Sequence, residues 1–151
     1  MFSRNQKLAR LGLINLSTKL VMTLSAIFMA IIGILASFIP HEILTFVGLP
    51  THQPLPQLIQ VLGAMYFAFA MLNWMSKGSI IGGIYNRPTA TANWTHFVIA
   101  GLALIKGILS DPDHSYVMWS LAIIYSMFAI LFGIVLFKRP ATEIEKDNQA
   151  P

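Results

Sequence analysis

The chain consists of long apolar runs separated by short polar segments. Four runs are candidates for helices that cross a bilayer, whose hydrocarbon core takes roughly 20 apolar residues. They occupy residues 20–39, 55–75, 94–109 and 116–137, and the third is the shortest. The runs are rich in Leu, Ala, Ile and Met and lack the alternation of a barrel strand. The pattern therefore predicts an all-α fold, a four-helix transmembrane bundle that forms a single domain over residues 1–151.

The composition narrows the class of protein. Hydrophobic residues make up 56% of the chain and charged residues only 11%, against roughly 25% charged residues in a soluble domain. A soluble core of this size cannot hold such an apolar excess. A soluble enzyme and a nucleic-acid-binding module are therefore poor interpretations, and we expect no nucleic acid partner. The chain has no cysteine, which excludes disulfides, thiolate metal ligands and cysteine nucleophiles.

The basic residues indicate how the spans are oriented. The net charge is +4, and every Lys and Arg except Lys106 lies in residues 1–19, 76–93 or 138–151. Four spans place these three segments on one side, and the other two connections contain no Lys or Arg. Because Lys and Arg are retained on the cytoplasmic side, we expect both termini in the cytoplasm. The lipid bilayer is then the main partner, and a membrane-protein partner or a homo-oligomer is a further possibility.

The segments outside the spans carry further expectations. Residues 1–19 form a basic N-terminal segment, in which residues 3–17 are either an interfacial amphipathic helix or an extension of the first span. Three prolines are expected to break helix in residues 40–54, which lie on the membrane surface or cap the bundle. Residues 76–93 are either a flexible linker or a partly re-entrant turn, in which Pro88 ends any helix. Residues 140–151 form a polar tail.

Lys106 is the one Lys, Arg, Asp or Glu residue inside a predicted span. A charge within the membrane costs roughly 2.5–3.5 kcal/mol on insertion scales, which makes such a residue a functional candidate. Lys106 lies about one turn from the outer end of the third span, so its amine is near enough to snorkel to the interface. It could pair with partners on the same side, which are Asp111, Asp113, Gln57 and Gln60. The alternative is a substrate, lipid-headgroup or proton site.

A second group of candidates, the inner polar cluster, lies at the other ends of the middle spans. Asn73 closes the second span, Asn93 and His96 open the third, and Tyr85 and Arg87 lie between them. These residues could form a pocket for an anionic headgroup. In the alternative interpretation, Trp and Tyr side chains form the aromatic belt at the membrane interface, and the asparagines cap helix ends.

We expect no metal and no cofactor. The four histidines do not have ligand spacing, although His41, Glu42, His52 and His114 would share the outer side. The sequence has no HExxH, GxSxG, Walker or GxGxxG motif, and the spans carry no Asp or Glu for a proton relay.

Small residues recur four apart in every span, a spacing that lets helices approach closely in lipid. We expect these faces to pack helices together. The pairs are Ala26 and Ala30, Gly33 and Ser37, Ala64 and Ala68, Ala103 and Gly107, Ala122 and Ser126, and Ala129 and Gly133.

The stretch from Leu62 to Lys106, about a third of the chain, contains short sequence pieces that resemble those of a known group of proteins. Its pieces are Leu72-Asn73-Trp74, Gly82-Gly83-Ile84-Tyr85, Arg87-Pro88, Asn93, His96-Phe97 and Leu104-Ile105-Lys106. On these pieces it resembles small uncharacterised bacterial four-span membrane proteins, and in size and span count the chain is similar to DoxX-like four-helix proteins. The resemblance implies a bacterial inner membrane and implies that the inner polar cluster and Lys106 belong together. It implies no particular activity.

Three functions fit this sequence. The first is a non-catalytic subunit, scaffold or small-molecule-binding accessory protein, suggested by the lack of any catalytic motif. The second is a small transporter or lipid-handling protein that uses Lys106 or the inner polar cluster. The third is a membrane enzyme acting on a lipid or quinone, for which the available catalytic groups are His96, Tyr85, Arg87 and Lys106.

Overall fold

The computed structural model describes the backbone of residues 4–78, 87–110 and 116–137, and the side chains of these ranges from residue 18 onward. Every regular element in these ranges is a helix, and no strand occurs in them. The helices are α1 (Arg4–Phe38), α2 (Pro40–Phe46), α3 (Leu55–Ser76), α4 (Arg87–Ser110) and α5 (Tyr116–Phe137). The predicted all-α fold is confirmed for this part of the chain.

Four of the helices are long and apolar enough to cross a membrane. Their candidate spans are Thr18–Phe38, Leu55–Ser76, Arg87–Ser110 and Tyr116–Phe137. The second and fourth agree with the predicted bounds to within one residue. In the most apolar part of each span, no more than 39% of the residues are buried. Most apolar side chains therefore point outward, an arrangement that water would not favour over so large a surface.

The helix α4 begins earlier than the predicted third span. It runs from Arg87 to Ser110 over 24 residues, whereas the sequence predicts residues 94–109. Pro88 is its second residue, where the missing N–H needs no partner and the fixed φ suits the first turn. The expectation that Pro88 ends any helix is therefore wrong. Residues 79–86, on which the linker and re-entrant interpretations depend, lie outside the described part of the chain.

The helix α1 is a single uninterrupted element of 35 residues, about 52 Å long at a rise of 1.5 Å per residue. A candidate membrane span within it covers Thr18–Phe38. The backbone from Arg4 to Thr18 is helical and continuous with this span, which is compatible with both interpretations of residues 3–17.

The short helix α2 was not expected, because it lies in a segment whose prolines were predicted to break helix. Pro40 instead occupies its first turn, after the non-helical Ile39. Gly48 ends it at a φ of 72°, and the Leu49 N–H donates to the Leu44 carbonyl at 2.8 Å. This is the geometry by which a glycine in the left-handed region closes a helix. Leu44 is fully buried, so α2 packs through this side chain.

The helices fall into two compact units. One contains Met1–Val21 and Ser76–Pro151, and therefore α4 and α5. The other, Met22–Met75, contains most of α1 together with α2 and nearly all of α3. The single domain over residues 1–151 stays a prediction.

In the second unit, α1 and α3 run antiparallel and their backbones touch. A Cβ placed on Gly33 would lie 2.7 Å from the backbone nitrogen of Phe67. A Cβ placed on Gly63 would lie 2.7 Å from the backbone nitrogen of Ser37. Both distances are too short for any side chain, so glycine is required at both positions. The predicted packing face of Gly33 and Ser37 is confirmed.

In the first unit, α4 and α5 run antiparallel and meet through aromatic rings. Phe97 stacks on Phe128 and Phe132, with ring centroids 4.9 and 5.6 Å apart, and meets Tyr125 edge-on at 5.4 Å. All four rings are buried. A Cβ on Gly101 would lie 3.6 Å from the Tyr125 Cβ and 3.9 Å from the Ser126 backbone nitrogen, so the backbones approach less closely here than at Gly33 and Gly63.

The other small-residue pairs do not all pack. Ala64 and Ala68 are exposed on α3, and so is Ala103 on α4. A Cβ on Gly107 would meet nothing within 4 Å. The expectation that each of these faces packs helices together is therefore wrong for Ala64 with Ala68 and for Ala103 with Gly107, as far as the described residues show.

Candidate functional site

Asn73 is the best defined of the candidate residues. It is fully buried near the end of α3. Its Nδ2 donates to Ser25 Oγ on α1 at 3.0 Å and lies 3.8 Å from the Met29 Sδ. Ser25 Oγ in turn donates to the Met22 carbonyl at 3.0 Å. This chain of hydrogen bonds links α3 to α1 inside an apolar pair, where a buried amide needs such partners.

The two candidate glutamines lie at the opposite end of α3. Gln60 Nε2 donates to the Ser37 carbonyl of α1 at 3.2 Å, one side of the same antiparallel contact. Gln57 is exposed in the first turn of α3. The predicted pairing of these glutamines with Lys106 joins residues of different units and stays a prediction.

Two other residues of the inner polar cluster, Arg87 and Asn93, lie on α4. Arg87 is its first residue and is exposed. Asn93 is fully buried, and its Nδ2 donates to the Thr89 carbonyl one turn earlier at 2.9 Å. Asn93 therefore does not cap α4, because the helix begins six residues before it. Tyr85 lies outside the described residues.

His96 lies beside the aromatic cluster of α4 and α5. Its ring meets Phe97 edge-on at 5.3 Å and lies tilted against Tyr125 at 5.9 Å. Trp94, two residues before His96 on α4, meets the Phe137 ring of α5 edge-on at 6.0 Å. The structure thus places His96 in a ring-packing environment. The meeting of Asn73 with Asn93 and His96 in one pocket stays a prediction, since they belong to different units.

Lys106 is exposed on the last turns of α4. Its carbonyl accepts a hydrogen bond from Ser110 Oγ at 2.9 Å, which closes the end of the helix. The exposed side chain is compatible with both interpretations of Lys106, snorkelling and ligand binding. The two aspartates considered as its partners, Asp111 and Asp113, lie outside the described residues.

A groove between α4 and α5 was not predicted from the sequence. It has a volume of about 540 Å³ and is lined by Ile105, Ile108 and Leu109 of α4 and by residues of α5 between Trp119 and Ile130. Its one hydroxyl, Ser126, donates to the Ala122 carbonyl at 2.7 Å. The spacing of Trp119, Ile123, Met127 and Ile130 along one face of α5 was the available signal. It could not be separated from ordinary lipid contact in the sequence alone.

The possible metal ligands are few in the described ranges. No three His, Asp or Glu side chains there are close enough to hold a metal ion. A shallow cleft of about 430 Å³ on α2 is lined by His41, Glu42, Thr45 and Phe46. His114 lies outside the described residues.

Comparison of the chain with protein-family models, with curated proteins and with solved structures gave no match.

Proposed function

We propose that the chain is a four-span integral membrane protein of a bacterial inner membrane, with both termini in the cytoplasm. We further propose that it is a non-catalytic accessory protein, acting as a subunit, scaffold or binding component for a small molecule. The span lengths and hydropathies support the first part, and the distribution of Lys and Arg supports the orientation.

The hydrogen bonds of Asn73 are the observation that carries the accessory role. A transporter or enzyme needs polar groups aimed at a ligand, and Asn73 was a leading candidate. Its amide is instead bonded to Ser25 on α1, and Gln60 and Asn93 also donate to backbone carbonyls. The bonds of Asn73 and Gln60 join α3 to α1, and Asn93 bonds to a carbonyl of its own helix, so all three amides have a structural use.

The outward surface supports the same proposal. Large apolar side chains are exposed along each long helix, including Leu58, Val61, Leu62 and Met65 over two turns of α3. Exposed apolar faces of this extent suit lipid, a second membrane protein or a second copy of the chain. The surface offers contact area, which is what an accessory subunit contributes to an assembly.

The test begins with a tag on the C-terminus and sealed membrane vesicles of both orientations. We expect added protease to remove the tag in inverted vesicles and to leave it in right-side-out vesicles. Removal in right-side-out vesicles would overturn the proposed orientation.

The same tagged chain is then captured in native nanodiscs and weighed by native mass spectrometry. We expect a second membrane protein at fixed stoichiometry, whose abundance falls when the chain is deleted, or a homo-oligomer. A variant with Lys106, Arg87 and His96 all changed to Gln serves as the control and retains this assembly. A bare monomer, with the membrane proteome unchanged by deletion, would overturn the accessory role.

A further inference from the structure

The groove between α4 and α5 has the dimensions of a binding site for one small molecule or one acyl chain. Its volume of about 540 Å³ lies within the roughly 300–1,000 Å³ of small-molecule sites. Apart from the Trp119 indole and Ser126, whose hydroxyl is already bonded to its own helix, the lining side chains are hydrocarbon or thioether. The groove can therefore hold an apolar chain but offers little to orient a polar ligand within it.

The α5 wall of the groove is as long as one leaflet of a bilayer, and its α4 wall consists of Ile105, Ile108 and Leu109. Its lining on α5 extends from Trp119 to Ile130, about 16 Å at the helical rise. The hydrocarbon core is about 30 Å thick, so one leaflet is about 15 Å deep. A helix of a second copy packed along α5 would use the whole span, whereas an acyl chain from one leaflet needs only this half.

One end of the groove is lined by the Trp119 indole, and the exposed Lys106 lies beside that end. Lys106 precedes the last residue of α4 by four positions, and Trp119 follows the first residue of α5 by three. Because the two helices are antiparallel, both side chains lie about 4–6 Å from the same end of the pair. Lys106 lies three residues before the lining residue Leu109 and therefore flanks the groove. Trp at this depth is typical of the headgroup level.

The geometry points to a specific phospholipid site: one acyl chain lies in the groove and the phosphate of an anionic headgroup is held by Lys106. The complementary charge and the single-leaflet length favour an anionic phospholipid over a second copy of the chain. This inference rests on the membrane-spanning part of the proposed function and is independent of the accessory role.

The test uses lipids with brominated acyl chains, which quench tryptophan fluorescence on contact. Trp119 becomes the single reporter when Trp74 and Trp94 are changed to Phe. The protein is reconstituted in vesicles, and brominated phosphatidylglycerol is compared with brominated phosphatidylcholine. We expect a preference for phosphatidylglycerol of about fivefold, the contribution of one basic residue near anionic lipid.

Three variants separate the charge from the groove. Lys106→Gln is expected to reduce the preference to about one, and Lys106→Arg is expected to keep it. Ile123→Phe, which narrows the groove at an exposed lining residue, is expected to reduce quenching by both lipids. Met71→Phe on α3, also at an exposed position, is the matched control and is expected to leave quenching unchanged.

Several outcomes would overturn the site. An unchanged preference in Lys106→Gln would remove the role of the cation. Unchanged quenching in Ile123→Phe would remove the groove. Trp119 shielded from both lipids, together with a dimer in native mass spectrometry, would assign the groove to a second copy. If none of the three native tryptophans were quenched, the spanning arrangement itself would fail, which distinguishes that failure from failure of the site.

Discussion

The two antiparallel helix pairs are held together by different means. The α1 and α3 backbones touch at Gly33 and Gly63, and a buried amide of Asn73 bonds across the pair. The α4 and α5 backbones approach less closely at Gly101, and rings packed around Phe97 join the two helices. Between membrane helices, lipid is as apolar as a side chain, so association depends on close packing and on hydrogen bonds. One pair uses close backbone approach with a polar contact, and the other uses large interlocking side chains.

The largest expected effect is loss of the central ring of the aromatic pair. Phe97→Ala should lower the free energy of unfolding by about 3–5 kcal/mol, because it leaves a cavity among three other rings. Equilibrium unfolding in a membrane mimetic measures the change. Ile99→Ala, on the same helix at a side chain that is 63% exposed, is the control and should cost much less. Equal losses in the two variants would show that the rings do not hold α4 to α5.

The same substitution at glycine should have opposite signs in the two pairs. Gly33→Ala and Gly63→Ala should each destabilise by about 1–3 kcal/mol, because backbone atoms of the opposite helix must move. Gly101→Ala should be neutral or stabilising by up to about 1 kcal/mol, since its Cβ would meet Tyr125 at an ordinary distance.

Gly107→Ala, whose Cβ would meet nothing within 4 Å, calibrates the gain from helix propensity alone. Unfolding of all four variants under one condition gives the comparison. If Gly33→Ala and Gly101→Ala shifted stability equally, the two pairs would not differ in backbone approach.

The smallest effect should come from the polar contact in the α1/α3 pair. A double-mutant cycle of Asn73→Leu and Ser25→Ala should give a coupling energy of about 0.6 kcal/mol, and at most about 1.7. Ser120→Ala is the control, because the exposed Ser120 hydroxyl donates to the Tyr116 carbonyl of its own helix. A coupling energy of zero would mean that the Asn73 bond is replaced by other partners at no loss.

Hydropathy predicted the long helices well, because a run of apolar residues is recognised from the sequence of that run, without its tertiary contacts. The start of α4 and the whole of α2 were missed for one reason: Pro88 and Pro40 were interpreted as helix breakers, and both occupy first turns. A proline is compatible with the start of a helix and incompatible with its interior. Its position therefore has to be judged together with the residues that follow it.

The candidate site was harder to predict because its residues act through partners far away in the sequence. Spacing four identified Gly33 with Ser37, but the same spacing also selected Ala64 with Ala68, which are exposed. The contact of Asn73 with Ser25 spans 48 positions and has no local signature. Which polar residue meets which helix is decided by tertiary packing, and a single sequence does not contain that information in any readable pattern.

The contact of Gly33 with Gly63 has a consequence for how this sequence can change over generations. Every amino-acid replacement of a glycine enlarges the residue, so a mutation at either position can only add atoms where a Cβ would already lie within 3 Å of backbone. The aromatic cluster can exchange one bulky residue for another and repack. Random mutagenesis of the whole chain should therefore leave the two glycines almost invariant among functional variants, while the rings around Phe97 drift among Phe, Leu and Met.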